Sequence, residues 1–225
     1  MVETEEKMLA PRPVRWSVHR GYTWAGLEKV TQDESVEREA KELNIWITPE
    51  VLPGFGEFMF TLYETLSATA LLILEAWALG LGLSDPGKLL KLHSGMNNQL
   101  RLLHYPPIAA RELEEGSSAR MEEQSDWGSI TLLFQDACGG LEVQVKDGEL
   151  PQVHDAPSGT SAAPLNNLFT GPERMTRARY AIPYFVATGE NTLVEVFKGS
   201  TNVENPAKHE AVTQKEYAAK RARLQ

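Results

Sequence analysis

The chain has 225 residues, 42% of them hydrophobic and 24% charged, which is ordinary for a soluble globular domain with a sizeable core. Its formal net charge of −9 argues against nucleic acid or an anionic membrane as a partner, because both favour a basic protein surface. Cys138 is the single cysteine of the sequence, so no intrachain disulfide can form and a reducing, cytoplasmic compartment is expected.

The N-terminal part predicts helices. A long apolar segment predicts a helix over about residues 55 to 80, ending near Gly80 or Gly82. It is about long enough to cross a membrane, but Glu75 lies in its middle, so we expect the buried helix of a soluble core. A short helix should follow, beginning at Pro86. Residues 1–35, before these helices, are typical of an extended arm or an edge strand.

The C-terminal part predicts strands. Runs of β-forming residues indicate strands at 97–107, 129–135, 141–145, 179–189 and 192–197. Asp147-Gly148 is a strong hairpin signal, residues 151–178 carry almost no helix or strand pattern, and the tail reads as a solvated helix. Helices followed by antiparallel strands indicate an α+β fold with a sandwich or jelly-roll-like core. We expect a helical region at 1–95, a jelly-roll region at 96–200 and a C-terminal tail at 201–225.

Three segments then carry a family resemblance. "NNQLRLLHYPP" (97–107), "QSDWGSITLLFQDACGGLEVQVKDG" (124–148) and "RARYAIPYF" (177–185) resemble, in order, signatures of the iron(II)- and 2-oxoglutarate-dependent dioxygenases. The likeness is strongest to the isopenicillin-N-synthase-like branch of fungal and plant specialised metabolism, and it covers roughly residues 17–224. It implies a partial double-stranded β-helix, or jelly roll, with N-terminal helices packed against it.

The family's ferrous iron is held by two histidines and one carboxylate, which leaves open positions for cosubstrate and oxygen. By resemblance, Asp126 stands at the carboxylate position, and Gln124 replaces the first histidine. Asp126 could instead be a strand-start residue that caps its own backbone. No later histidine stands where the family has its second ligand, since His154 comes too early and lies in a turn-rich stretch. The resemblance implies further strands between 155 and 179, and an opening segment, that this chain lacks.

The cosubstrate site is better preserved. The family binds the distal carboxylate of 2-oxoglutarate through an Arg-x-Ser pair, and here Arg179 matches the arginine while Ala181 replaces the serine. A tyrosine of an Asn-x-Tyr-Pro motif assists in the family, and Tyr105 matches it with Leu103 in place of the asparagine. An ordinary strand arginine and a half-buried strand tyrosine are the alternatives. Trp127 would line a substrate pocket or pack in the core.

The resemblance implies a 2-oxoglutarate-Fe(II)-type oxidoreductase that hydroxylates, desaturates or cyclises a small natural product. Iron(II) and 2-oxoglutarate are the expected cofactors, with Gln124 and Asp126 toward the metal, and Tyr105 and Arg179 toward the cosubstrate. The expected protein is a cytoplasmic monomer. The altered iron ligands leave two alternatives: an inactive or metal-independent relative that acts as a binding or cyclase-like protein, and a truncated product.

Overall fold

A computed structural model of the chain describes residues 45–83, 85–95, 97–114, 126–138, 141, 169–170, 174–197, 201–204 and 206–222. The described residues fall into two compact units. One consists of residues within 1–96 together with those within 188–225, and the other lies within 97–187. The division of the chain into domains at residues 95 and 200 stays a prediction.

Helix α1 (Phe55–Gly80) confirms the predicted long helix. It ends in a Schellman motif: Gly82 adopts φ of +65°, and the N–H groups of Gly82 and Leu83 donate to the carbonyls of Leu79 and Ala78. Glycine suits this left-handed position because it has no Cβ to clash.

A smaller part of the surface of helix α1 is buried than the sequence predicts. Its buried residues are spaced by seven positions and then by four, and they form one strip, at Met59, Leu66, Ala70, Leu74 and Ala78. By length and composition this helix could cross a membrane, and 22% of its most apolar window is buried. The same test is also passed by core helices of soluble proteins, so the finding is weak evidence for a span.

Helix α2 (Gly87–Leu92) begins one residue later than predicted, with Pro86 at its N-cap position. The Asp85 carboxylate accepts a hydrogen bond from the Gly87 N–H at 3.0 Å, and it forms an ion pair with the Lys91 ammonium group at 3.1 Å. Aspartate before the first turn is favourable because the first N–H groups of a helix have no internal partner.

The C-terminal helix α4 (Gln214–Ala222) confirms the predicted tail helix. It follows a short antiparallel pair of β7 (Leu193–Val194) and β8 (Val212–Thr213). The Glu216 carboxylate accepts hydrogen bonds from the N–H and hydroxyl of Thr213, while the Thr213 hydroxyl accepts from the Glu216 N–H. This reciprocal capping box lowers the pKa of Glu216, through the backbone bond first and the hydroxyl bond second.

The main sheet is built around one strand, β6 (Arg179–Val186). On one side β6 pairs with β1 (Gln99–Leu100) and β2 (Leu103–Tyr105), and on the other with β3 (Ile130–Gln135). All three pairings are antiparallel, and with the helices they give an α+β fold. The predicted strands at 129–135 and 179–189 are confirmed: β3 begins one residue later than predicted, and β6 ends three residues earlier.

The predicted strand at 97–107 is interrupted between β1 and β2, and its partner strand explains why. The Arg101 N–H donates to the Pro183 carbonyl at 3.0 Å, so Pro183 faces this gap. Proline has no N–H to return the second ladder bond. The register nevertheless continues across the gap, from Leu100 opposite Tyr184 to Leu103 opposite Ala181.

The remaining elements are short. Helix α3 (Ala110–Glu114) precedes the sheet strand β3, and β4 (Phe169–Thr170) pairs with β5 (Met175–Thr176) inside the stretch that was predicted to be structureless. The predicted strand at 192–197 is reduced to the two residues of β7. Residues 142–145 of the predicted strand at 141–145, the Asp147-Gly148 turn and the arm at 1–35 lie outside the described residues.

Candidate functional site

Side chains alternate between the two faces of the sheet, and the register of the strands decides which of them meet. On β6, Arg179 and Ala181 point to one face. Tyr105 lies opposite Arg179, and Gln135 lies opposite Ala181, so both belong to that same face. We call it the Arg179 face, and its members on strands β2, β3 and β6 are Leu103, Tyr105, Thr131, Leu133, Gln135, Arg179, Ala181, Pro183 and Phe185.

Arg179 is the charged centre of one end of this face. It is 7% exposed, and its Nη2 donates a hydrogen bond to Gln135 Oε1 at 2.9 Å. Its Cζ lies 5.0 Å from the centre of the Tyr105 ring, which is the distance of a cation–π contact. Its Nε is buried and has no hydrogen-bond partner. The guanidinium is therefore held by a neutral amide and an aromatic ring, with one donor unused.

The nearest carboxylate along β3 does not neutralise Arg179. Asp136 follows Gln135 directly, but its two oxygens accept the backbone N–H groups of Cys138 at 2.9 Å and Tyr180 at 2.6 Å. Within the described ranges, no ion pair joins Arg179 to an acidic side chain. A buried cation without a counter-ion is costly, so an anionic ligand at this point would be stabilising.

The other end of the Arg179 face holds Asp126. Its carboxylate accepts a hydrogen bond from the hydroxyl of Thr131, the residue of β3 that lies four positions before Gln135. Four residues of strand span roughly 13 Å. The two halves of the predicted site thus face the same side of the sheet, one at each end of β3.

Glycine is required beside Asp126. A side chain at Gly128 would collide with the carbonyl of Val186, because β6 passes directly against the backbone there. The Ser129 N–H donates to that same carbonyl at 2.7 Å. This close approach fixes the start of β3 and, through it, the place of Asp126 on the face.

The described residues do not fit the iron set of two histidines and one carboxylate. No group of three or more histidine, cysteine, aspartate or glutamate side chains that could hold a metal occurs in the part of the chain that the structure describes. His104 lies on the opposite face, stacked on Tyr180 with ring centres 4.7 Å apart, and buried His93 bonds to the Leu89 carbonyl through Nδ1. Gln124, in place of the first histidine, supplies an amide oxygen, a weaker donor than imidazole.

The structure brings Arg179 and Tyr105 together, as the sequence suggested, and sets Asp126 on the same face. Gln124 and His154 lie outside the described residues, and Trp127 is half-buried. Sequence reasoning missed Gln135, whose contact with Arg179 spans 44 positions of chain. Its one signal was position: it is the polar residue that ends the apolar strand "SITLLFQ".

Comparisons with known proteins find similarity to oxygenases that use 2-oxoglutarate. The 2-oxoglutarate-dependent dioxygenase phqC of Penicillium fellutanum is 29% identical over 266 residues, including 98% of this chain and 75% of that protein. The proline hydroxylase buaE of Petromyces alliaceus is 35% identical over 154 residues, 62% of this chain and 48% of that protein. A 2OG-Fe(II) oxygenase family protein from Caulobacter crescentus is 26% identical with a TM-score of 0.67, covering 100% of this chain and 80% of that one. The chain is similar to iron(II)- and 2-oxoglutarate-dependent oxygenases in sequence and in fold.

A second solved oxygenase adds a ligand to the comparison. A full-length Neurospora crassa protein, crystallised with alpha-KG and thymine, is 25% identical with a TM-score of 0.73 and covers 98% of this chain and 78% of that one. No family model matches the chain.

The chain is shorter than the oxygenases it resembles. It spans about half the length of buaE (48%) and three quarters of phqC (75%). The phqC match is 266 residues long and this chain has 225, so at least 41 matched positions have no residue here. The match therefore contains internal gaps on this chain's side, and their location between residues 155 and 179 stays a prediction.

Proposed function

We propose that this chain is part or all of a 2-oxoglutarate-type oxidoreductase that hydroxylates, desaturates or cyclises a small natural product in specialised metabolism. The observation that carries the proposal is the buried Arg179 guanidinium, held by Gln135 and Tyr105 with Nε unused. An arginine in this state suits the distal carboxylate of 2-oxoglutarate, because a charge-assisted hydrogen bond is about twice as strong as a neutral one. The relatives named above support the choice of cosubstrate.

The finer fold belongs to the same proposal. We propose that the sheet around β6 is part of a jelly roll of the isopenicillin-N-synthase-like branch. We also propose a cytoplasmic monomer without nucleic-acid or membrane partners, on the basis of the single cysteine and the net charge of −9.

Iron enters the proposal through the family, in which it activates oxygen. Of this chain's residues, Asp126 would face it and Gln124 would stand at the first histidine position. Because this donor set does not match the family's, a second function has direct support: a metal-independent relative that binds 2-oxoglutarate or a similar acid without oxidising a substrate. The bond from Thr131 to Asp126 also favours it, since it occupies part of the carboxylate.

One assay separates the two functions. The purified chain is incubated in air with Fe(II), ascorbate and 2-oxoglutarate, and succinate is measured against a sample with EDTA. Iron-dependent succinate that Asp126→Ala abolishes supports the oxidoreductase. Succinate at the EDTA level, from protein that still binds 2-oxoglutarate, supports the metal-independent relative.

A further inference from the structure

Gln135 fixes the orientation of Arg179 without neutralising its charge. Its Oε1 accepts the Nη2 hydrogen bond at 2.9 Å, and an amide carries no charge, so the guanidinium is oriented without being neutralised. The Tyr105 ring packs against the guanidinium on a second side and restricts its movement. Arg179 is 93% buried, its Nε is unpaired, and no acidic side chain among the described residues forms an ion pair with it, so the site offers a fixed donor before any ligand arrives.

The opposite end of the Arg179 face offers fewer favourable contacts to a carboxylic acid ligand. Asp126 is exposed, is negatively charged and already accepts the Thr131 hydroxyl. The family's metal would normally hold the 2-oxo acid end of the cosubstrate there. With Gln124 at a histidine position, that end loses an imidazole ligand to the metal. Attraction for a dicarboxylic acid is therefore concentrated at Arg179.

We infer that the chain binds five-carbon dicarboxylates through Arg179 without a metal, that Gln135 is the positioning residue, and that the 2-oxo group adds little to affinity. The inference rests on the proposed function for the identity of the ligand class. It goes beyond that function by predicting that glutarate binds as well as 2-oxoglutarate.

The first test is isothermal titration calorimetry of the purified chain in EDTA, with 2-oxoglutarate, glutarate and 2-oxobutyrate. We expect the two dicarboxylates to bind within about threefold of each other, and 2-oxobutyrate, which lacks the distal carboxylate, to bind at least about tenfold more weakly. Replacing EDTA with Mn(II) should leave these values unchanged. Binding of 2-oxoglutarate only with Mn(II), or no binding of glutarate, would overturn the inference.

The second test uses Gln135→Glu, which sets a carboxylate where the amide now accepts from Arg179. If Gln135 positions a cation for a ligand, the introduced carboxylate competes with that ligand. Affinity for glutarate then falls at least about tenfold, while the thermal midpoint stays level or rises. Glutarate binding at the wild-type level in this variant would refute the positioning role.

Arg177→Gln is the matched control, because Arg177 is an exposed arginine two positions before Arg179 and outside the site. It should bind glutarate as the wild type does. The outcomes also separate this inference from the proposed function. Metal-free binding without succinate formation refutes only the oxidoreductase, and iron-dependent succinate without metal-free binding refutes only the inference.

Discussion

The two ends of the Arg179 face differ in what they leave for a ligand. At the Arg179 end a buried cation keeps an unused Nε, and its neighbours Gln135 and Tyr105 orient it without neutralising it. At the Asp126 end an exposed carboxylate is already bonded to Thr131 of the adjoining strand. In the proposed function, the Arg179 end of this face binds the acid, and the Asp126 end lacks an imidazole ligand that the related oxygenases use for iron. A change at the Asp126 end need not disturb the acid-binding end, because about 13 Å of strand β3 separates Thr131 from Gln135.

The largest effect is expected at the Arg179 end. Arg179→Gln removes the charge that binds the distal carboxylate, so affinity for 2-oxoglutarate should fall about 10- to 100-fold, as for a lost hydrogen bond to a charged group. Calorimetry at constant ionic strength measures it, with Arg177→Gln as the control. If the wild type and Arg179→Gln bind 2-oxoglutarate with equal affinity, Arg179 does not bind the ligand. That result would contradict the proposed difference between the two ends of the face.

Gly128→Ala tests how firmly the backbone fixes the Asp126 end. The new methyl group meets the Val186 carbonyl, so β3 and β6 must shift apart, and we expect about 1–3 kcal/mol of destabilisation. Gly80→Ala is a matched control, because a side chain there meets nothing within 4 Å and a helical alanine is favoured over glycine. Urea unfolding of both variants should give opposite signs, and a neutral Gly128→Ala would contradict the close packing.

Asp126→Asn should have little effect on acid binding. Asp126 is exposed and lies at the far end of β3 from Gln135, so metal-free affinity for glutarate should change by less than about twofold, as for independent sites. The same titration measures it. A loss comparable to that of Arg179→Gln would mean that both ends hold the ligand together.

The smallest expected effect concerns Glu216, which lies outside the Arg179 face. It gives a pH dependence of stability that is separate from ligand binding. Because the capping box lowers the pKa of Glu216 in the folded chain, its contribution is present above the ordinary glutamate pKa and is lost as the pH falls through the lowered value. Glu216→Gln keeps an acceptor but not the charge. The thermal midpoint of the wild type should therefore exceed that of Glu216→Gln near neutral pH, and the difference should shrink in acid. A difference that grows in acid would contradict this sign.

Local sequence signals predicted the long elements well. The apolar helix over 55–80 and the β-forming runs of β3 and β6 depend on nearby residues, and Gly82 marks the helix end through its own backbone preference. The break between β1 and β2 could not be predicted in this way. It is caused by Pro183, which is distant in sequence and meets Arg101 only through strand register.

The same distinction applies to the site. Arg179 and Tyr105 were found because each matches a short motif, and strand register then places them opposite each other. Gln135 was missed because its partner lies 44 positions away, and only the pairing of β3 with β6 brings the two together. The narrow burial of α1 was also unpredictable from composition, since apolar content does not say which sides of a helix are covered.

The most direct test of the central claim is a crystal structure of the chain with 2-oxoglutarate, grown in EDTA. We predict the distal carboxylate on Arg179 within hydrogen-bond distance of Nε, with Gln135 still bonded to Nη2. Finding 2-oxoglutarate elsewhere, or Arg179 paired with an acidic side chain of the protein, would contradict the account.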